Sequence, residues 1–406
     1  MGSIFRKSYD IYLEEGLFNL TNRVRESLYH RLLKITARIR RVTALIVVNI
    51  FYESDKEIWI FGANKGKRYA DNSKVLFEYV YNNLDDITPL FITDLNDNKN
   101  IDKRFKESVL RRNSIYAEIC ILKSKFIFLS HGWSDVSEAG DMALEDPISV
   151  YLEHGIWAFG RLSPRCLDPY DLVVSANNTE AKIKSNNTGK DERNIMVTGL
   201  PRHDVLAKPV EEYSCHNAIM LMPTGRPWLK EGKGEYEYIK NVRNILDSNK
   251  IKSILKENNL LLYYCPHINI SHLVSSILTP SIQAEERIIL VDSCVDVQEI
   301  IRKSDCLITD YSSVAWEFVA LKKDVIFYQW DLDRWKKNKG SYVYPDELGF
   351  SCIPKNIEQL INSLSYYTYN RPRCTHKSYN EIRNKWTPFL DKKCCDRVIK
   401  RISLYK

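Results

Sequence analysis

The chain has 406 residues, 44% of them hydrophobic, and its 59 Lys and Arg against 52 Asp and Glu leave a net charge of +7. That length predicts two domains with ample core, since one domain rarely exceeds ~250 to 300 residues. The modest positive excess fits anionic ligands or an anionic membrane surface. With no zinc-finger or RNP signature and no basic block beyond Arg38–Arg41, nucleic acid is not expected as a partner.

Ten cysteines without a CxxC, the only close pair being Cys394-Cys395, point to a reduced cytoplasmic protein. The opening MGSIFRKSYDIYLEEG carries acids early and has no apolar stretch of signal-peptide length, so no secretion signal is read. Residues 1–52 form a first segment, basic and then apolar. From Phe18 to Tyr52, Arg23, Arg25, His30, Arg31, Lys34, Arg38, Arg40 and Arg41 interleave with Leu28, Leu32, Leu33, Ile35 and Ile39. The run from Ala44 to Tyr52 is too short for a bilayer, which needs ~20 residues. Two readings stand: a basic amphipathic helix lying on an anionic leaflet, or a helix packed on the first domain with its charged face in water.

Short apolar runs then alternate with polar or helical stretches. Strands are expected at Glu57–Phe61, Leu90–Thr93, Ile115–Ile121, Phe126–Leu129, Ile148–Leu152, Leu172–Ser175 and Ile195–Thr198. A second series runs through Ala218–Met222, Leu260–Tyr264, Ile288–Val291, Cys306–Thr309 and Val325–Tyr328. This βαβ rhythm predicts an α/β protein of two doubly wound Rossmann-like domains, 53–208 and 209–406, facing across a cleft.

Polar chemistry falls at the expected strand ends. His131-Gly132 follows the strand ending at Leu129, and His154-Gly155 the one ending at Leu152; Thr224 and Arg226 follow Met222, and His267 follows Tyr264. After Thr309 comes Asp310-Tyr311-Ser312-Ser313, then Val314, Trp316, Phe318, Val319 and Leu321 at helical spacing. A helix beginning there offers backbone N–H groups and two hydroxyls to an anion; alternatively Ser312 or Ser313 simply caps it. Histidines titrate near neutrality and can move protons, and an arginine presents forked donors to phosphate. Glu317, one turn into that helix, either reaches a ribose or stays solvated.

SDCLITDYSSVAWEF followed by DVIFYQWDLDRW, with YLEHGIWAFGRL, VTGLPRHDVL, MPTGRPWL and YCPHINI ahead of it in that order, resembles the CDP-glycerol glycerophosphotransferase family of teichoic acid primases, polymerases and capsule-forming relatives. WIFGANKGKRYADNSKVLFEYV, with Asp71-Asn72, looks like the family's first strand and loop, so the resemblance runs from about Glu57 to Trp335.

The resemblance implies a GT-B fold and transfer of a polyol phosphate from CDP-glycerol or CDP-ribitol to a hydroxyl of a lipid-linked or polymeric acceptor at the inner leaflet, releasing CMP. It further implies His154 as base and His267 at the donor phosphates. Ser312 and Ser313 would hold the pyrophosphate, Asp310 would orient that loop or bind a donor hydroxyl, and Thr224 and Arg226 would sit near the nucleotide phosphates. Gly155 belongs to the same motif as His154, and His131 is the reserve acceptor-side residue. Gly199, Pro201, Arg202 and Asp204 match a family signature for which a structural role is equally open. No cofactor is implied, and dependence on a divalent cation is left open. Glu153-His154-Gly155-Ile156-Trp157 and Thr224-Gly225-Arg226 depart from the family's usual Trp-His-Gly-Thr-Pro and Thr-Trp-Arg, which leaves acceptor specificity open.

Overall fold

The computed structural model describes residues 25, 27–29, 31–48, 56–94, 101–142, 144, 146–206, 217–231, 235–266, 282, 285–292, 295–370 and 377–405. The chain forms two compact units: one comprises Met1–Tyr69 with Phe77–Val150, the other Ala70–Leu76 with Tyr151–Lys406.

The first unit carries β1 (Glu57–Gly62), β2 (Ile87–Thr93), β3 (Val109–Arg111) and β4 (Ser124–Leu129), in the order β3-β2-β1-β4. β1 pairs in parallel with both β2 and β4, Ile60 lying opposite Leu90 and Ile127. Trp59, Phe61, Phe77, Phe91, Phe126 and Phe128 pack as a core of edge-on and stacked rings. The expected strand over Ile115–Ile121 is instead an α-helix, Ile115–Leu122. Ser114 caps it by accepting the Ala117 N–H at 3.1 Å, and Ala117 to Ile121 are all buried. The exposed residues of this helix, Ile115 and Tyr116, are themselves uncharged and largely apolar, so no polar face shows a helical period. The short edge strand β3 was not foreseen.

A helix at 31–48 belongs to the same unit. It packs through Ala37, Arg41, Ala44 and Val48, and Arg41 Nε lies 2.6 Å from Glu118 Oε2 in a fully buried pair. Leu32, Ile35, Ile39, Val42 and Ile46 lie on the exposed side, Ile39 at 60%. The helix thus packs inward through small residues and a paired arginine, and its branched aliphatic stripe faces out. This differs from a helix whose charged face alone meets water. Residues before 25 and from 49 to 55 of the basic segment lie outside the described residues. No described helix is long and apolar enough to cross a membrane.

β5 (Ile148–Tyr151) contains the boundary between the units. In the second unit β6 (Leu172–Ser175) pairs in parallel with β7 (Ile195–Val197). Further on, β8 (Ala218–Leu221), β9 (Leu261–Tyr264), β10 (Ile288–Leu290), β11 (Cys306–Thr309) and β12 (Asp324–Phe327) form a parallel sheet in the order β10-β9-β8-β11-β12. Central strands β8 and β11 are buried at every residue, as parallel strands covered on both faces require. The order reverses between β8 and β11, so the loops after those two strands part at their carboxyl ends and leave a crevice there. Stacked rings of Phe159, Trp316 and Trp386, with centroids 5.2 and 4.6 Å apart, hold the layer beneath those loops.

Candidate functional site

Within the second unit, three strand-end turns and the 70–76 segment come together. After β5 the backbone passes through Glu153 at φ 68°, a left-handed conformation, and the side chain of His154 emerges into solvent while Leu152, Glu153, Gly155 and Ile156 stay buried. The turn is tied by its carbonyls. Asn72, fully buried at the start of the helix Asp71–Asn83, donates through Nδ2 to Glu153 O at 2.7 Å and Leu152 O at 3.4 Å. Arg202 Nη1 donates to His154 O at 2.8 Å.

Arg202 is the hub. Its Nη1 also meets Asp71 Oδ1 at 3.0 Å, its Nη2 pairs with Glu317 Oε1, and its main-chain N–H donates to Asn72 Oδ1 at 3.0 Å. Arg202 is 6% exposed and Glu317 1% exposed. Burial pushes the Glu317 carboxyl above its usual range, and the Arg202 charge opposes that shift. Glu317 is therefore neither solvated nor directed at a ribose: it faces inward and anchors Arg202.

The β5 turn meets the β11 turn directly. A Cβ on Gly155 would lie 2.6 Å from Ser313 Cβ and closer still to its hydroxyl, so only glycine allows the two backbones this approach. Ser312 and Ser313 are half-buried. The helix after them is short, Ala315–Ala320, and Val314 stands at its cap. Val314 N–H donates to Ser312 Oγ at 3.3 Å, and the N–H groups of Ala315, Trp316 and Glu317 go to the carbonyls of Ser312, Ser313 and Val314. The N–H groups from Val314 to Glu317 are thus spent within the turn and the helix, and the Ser312 and Ser313 hydroxyls are the side-chain groups it presents.

Asp310 and Arg226 join the β8 and β11 loops. Asp310 Oδ1 accepts from Thr224 N at 2.9 Å and Tyr311 N at 2.6 Å, and Asp310 Oδ2 lies 2.8 Å from Arg226 Nη1. Arg226 Nε and Nη2 donate to the two oxygens of Asp331 at 2.7 and 3.1 Å, and Nη1 donates to Thr224 O at 2.6 Å. Rings of Tyr238, Tyr311, Trp330 and Trp335 surround its guanidinium carbon, with centroids 4.6 to 5.7 Å away. Instead of offering free donors to phosphate, Arg226 is committed to two carboxylates and fixes the Thr224 loop. Thr224 Oγ1 is buried and has no protein hydrogen-bond partner, so this hydroxyl is open to a ligand.

His131 belongs to the first unit, where its Nδ1 accepts from Asn64 N at 3.2 Å and its own N–H donates to Asp135 Oδ2 at 2.7 Å. His267 lies outside the described residues. Of the VTGLPRHD signature, Asp204 accepts the N–H groups of Cys394 and Cys395 at 2.8 and 2.9 Å and so caps the helix Cys394–Ile402. Gly199, at φ 77°, packs against the same helix. His203 is buried with both ring nitrogens lacking a hydrogen-bond partner, and burial, helped by the Arg202 charge, pushes its pKa down to about 3.

A cluster that sequence reasoning missed lies under the His154 turn. Lys184, fully buried, stands 3.3 Å from Glu153 Oε1 and 3.2 Å from Glu180 Oε1, and its ammonium donates to Val174 O at 2.6 Å. Glu180 also accepts from Trp157 N, Ala176 N and Ser175 Oγ at 2.6 to 2.9 Å. With one cation between two buried carboxylates, burial pushes the poorly solvated Glu153 up to about 7. The sequence signal was a charged residue between a buried strand and an exposed histidine, a place where a solvated side chain would be expected.

The family model described as CDP-Glycerol:Poly(glycerophosphate) glycerophosphotransferase matches residues 44–404. The chain is 25% identical over 373 residues to the minor teichoic acid biosynthesis protein GgaB of Bacillus subtilis, covering 86% of this chain and 40% of GgaB. It is 24% identical over 350 residues to the teichoic acid glycerol-phosphate transferase of Staphylococcus aureus, covering 76% and 84%. The chain thus spans less than half of GgaB and most of the staphylococcal transferase. In three dimensions it matches the wall teichoic acid polymerase TagF with a TM-score of 0.66 at 20% identity, over 95% of this chain and 98% of that one. A putative UDP-N-acetylglucosamine 2-epimerase from Listeria monocytogenes matches more loosely, at 0.53 and 17%, over 87% and 97%.

Proposed function

Because the chain belongs to the CDP-glycerol:poly(glycerophosphate) glycerophosphotransferase family, we propose that it transfers glycerol phosphate or ribitol phosphate from a CDP-activated donor to a hydroxyl of a lipid-linked or growing cell-surface polymer, releasing CMP. The observation that carries this reading is the seating of the His154-Gly155 turn on Ser313, locked by Arg202. It brings the residue that follows His154 against the Ser313 side chain of the neighbouring strand-end turn.

In this reading the acceptor oxygen attacks the phosphorus that carries the polyol and the bond to CMP breaks. Neutral His154 takes the acceptor proton as the new P–O bond forms. Ser312 and Ser313 donate to the donor's phosphate oxygens, joined by the open Thr224 hydroxyl, and stabilise the charge that builds on the leaving CMP. His267, which follows β9, would add a donor there. Arg226, Asp310 and Asp331 hold these loops in place without touching the substrate. In this reading the chain has a GT-B fold of two doubly wound domains, 53–208 and 209–406; the likeness to TagF supports the α/β fold.

The same reading places the protein at the cytoplasmic face of the membrane, where a lipid-linked acceptor would be met. Exposed Leu32, Ile35, Ile39, Val42 and Ile46, on a helix whose charged residues from 31 to 48 are all basic, support this.

The test is CMP release from CDP-glycerol and CDP-ribitol, with and without a lipid-linked acceptor, by wild type and His154→Ala. Acceptor-dependent release from one donor, lost in the variant, is expected. Release from neither, with turnover of a nucleotide sugar instead, would replace this reading by a sugar transfer or epimerisation on the same fold. Ile35→Glu/Ile39→Glu should weaken sedimentation with anionic vesicles without altering CMP release in detergent, and equal sedimentation would remove the membrane assignment.

A further inference from the structure

We propose that Glu153 is a positioning residue for His154: Lys184 holds the Glu153 carboxylate in the interior, and this tether maintains the left-handed turn that presents His154 to the substrate. The inference rests on the reading of His154 as the base.

A non-glycine residue at φ 68° is strained, and glycine or asparagine would sit there at less cost. A glutamate in that position is also the most water-seeking kind of side chain, yet Glu153 is 0% exposed while its neighbour His154 is exposed. The cation that meets the buried carboxylate is the ammonium of Lys184 at 3.3 Å, with the Trp157 side chain beside it. Lys184 is itself fixed, since its Nζ donates to Val174 O at the end of β6. The tether therefore runs from the β6 layer, through Lys184, to the residue that sets the direction of His154. Asn72 and Arg202 hold the carbonyls of the same turn but do not touch the Glu153 side chain.

The charged and titratable groups facing the Glu153 carboxylate are Lys184 and Glu180, from the helix Asn178–Thr188, and the Cys166 thiol from the preceding loop. Glu180 is held by three donors besides Lys184 and competes for the same cation. Protonating Glu153 leaves Lys184 wholly to Glu180 and slackens the tether. The carboxyl titrates close to neutrality, so the turn would be held more firmly above pH 7 than below it.

Glu153→Gln copies the protonated side chain at every pH and leaves one anion for one cation in the cluster, so it should fold. The experiment measures kcat for acceptor-dependent CMP release and KM for CDP-glycerol, for wild type and E153Q, from pH 5.5 to 8.5. Titration of His154 is common to both enzymes and cancels in the ratio of their kcat values. That ratio should lie near one at pH 5.5 and rise about tenfold through pH 7, the size of effect expected of a misdirected catalytic group. KM for the donor should stay within about twofold. A ratio that stays flat with pH, or an effect on KM alone, would overturn the proposal. Glu153→Gly, which relieves the backbone strain but cuts the tether, should lower kcat without lowering thermal stability; unchanged kcat there is equally fatal. Beyond the titration of the ring itself, common to both proteins, the imidazole NMR signals of His154 should show a second step near pH 7 in wild type that is absent from E153Q. This readout needs no activity, so if His154→Ala keeps full turnover the base assignment fails while the tether is still judged on the spectra.

Discussion

Arg202→Met removes one cation from a buried site that also holds Glu317 and Asp71. Asp71, 12% exposed on its side chain, can turn its charge to water, whereas Glu317 at 1% cannot. Deleting one partner of a buried pair costs about 3–5 kcal/mol, because the remaining charge is left without compensation. At an m-value of about 3 kcal/mol/M in urea, that moves the unfolding midpoint of this unit down by roughly 1 to 1.7 M. The stacked Trp316 and Trp386 provide a fluorescence signal from the same layer. Arg202→Met/Glu317→Gln removes the orphaned charge as well and should recover most of the loss, to within about 1–2 kcal/mol, the remainder being the lost donors to His154 O and Asp71. The deficit of the single variant should also shrink at low pH. Glu317, already pushed up by burial, loses the charge that opposed the shift, so its folded pKa rises further and the variant's stability falls as pH rises through it. A midpoint shift below about 0.3 M, or a double variant no more stable than the single one, would refute the account of Arg202 as the hub.

Gly155→Ala should cost about 1–3 kcal/mol through overpacking on Ser313 and raise the donor KM, with kcat at saturation reduced less; an unchanged KM in titrations with CDP-glycerol would separate the two turns functionally. His203 should make the protein acid-sensitive. The unfolded residue binds a proton below about 6.5 and the folded one only near 3, so stability is lost as pH falls across that window, by at most about 5 kcal/mol at 1.36 kcal/mol per unit. His203→Leu should flatten that limb in thermal melts between pH 4 and 7. Glu153 works with the opposite sign. Its folded pKa of about 7 lies above the unfolded 4.5, so its contribution is present below 4.5 and is lost as pH rises towards 7, by at most about 3 kcal/mol. In E153Q, melting temperatures should therefore fall less between pH 5 and 8 than in wild type, and an identical slope would contradict a raised Glu153.

The parallel sheets and the positions of the strand-end motifs were legible in the sequence because they depend on local pattern. β11 coincides with Cys306–Thr309, and ten further strands fall within a few residues of their apolar runs. Residues of a buried strand must be apolar whatever they pack against, and a turn must carry small or polar residues wherever it leads. The helix Ile115–Leu122 broke the pattern because its exposed residues, Ile115 and Tyr116, are as hydrophobic as most of its buried ones and leave no period to read. The partners of the charged residues were beyond local pattern altogether. Arg226 has an open donor fork in sequence, and only the tertiary structure closes it on Asp331, 105 positions away. Arg202 meets Glu317 across 115 positions, and Glu153 meets Lys184 from the far side of β6. The sequence alone thus determined the fold class and which turns carry polar chemistry. Which of those polar groups face a substrate, and which are spent on one another, was decided by the tertiary structure, because a charge is neutralised by whatever the fold brings within about 3 Å of it, and chain order carries no record of that distance.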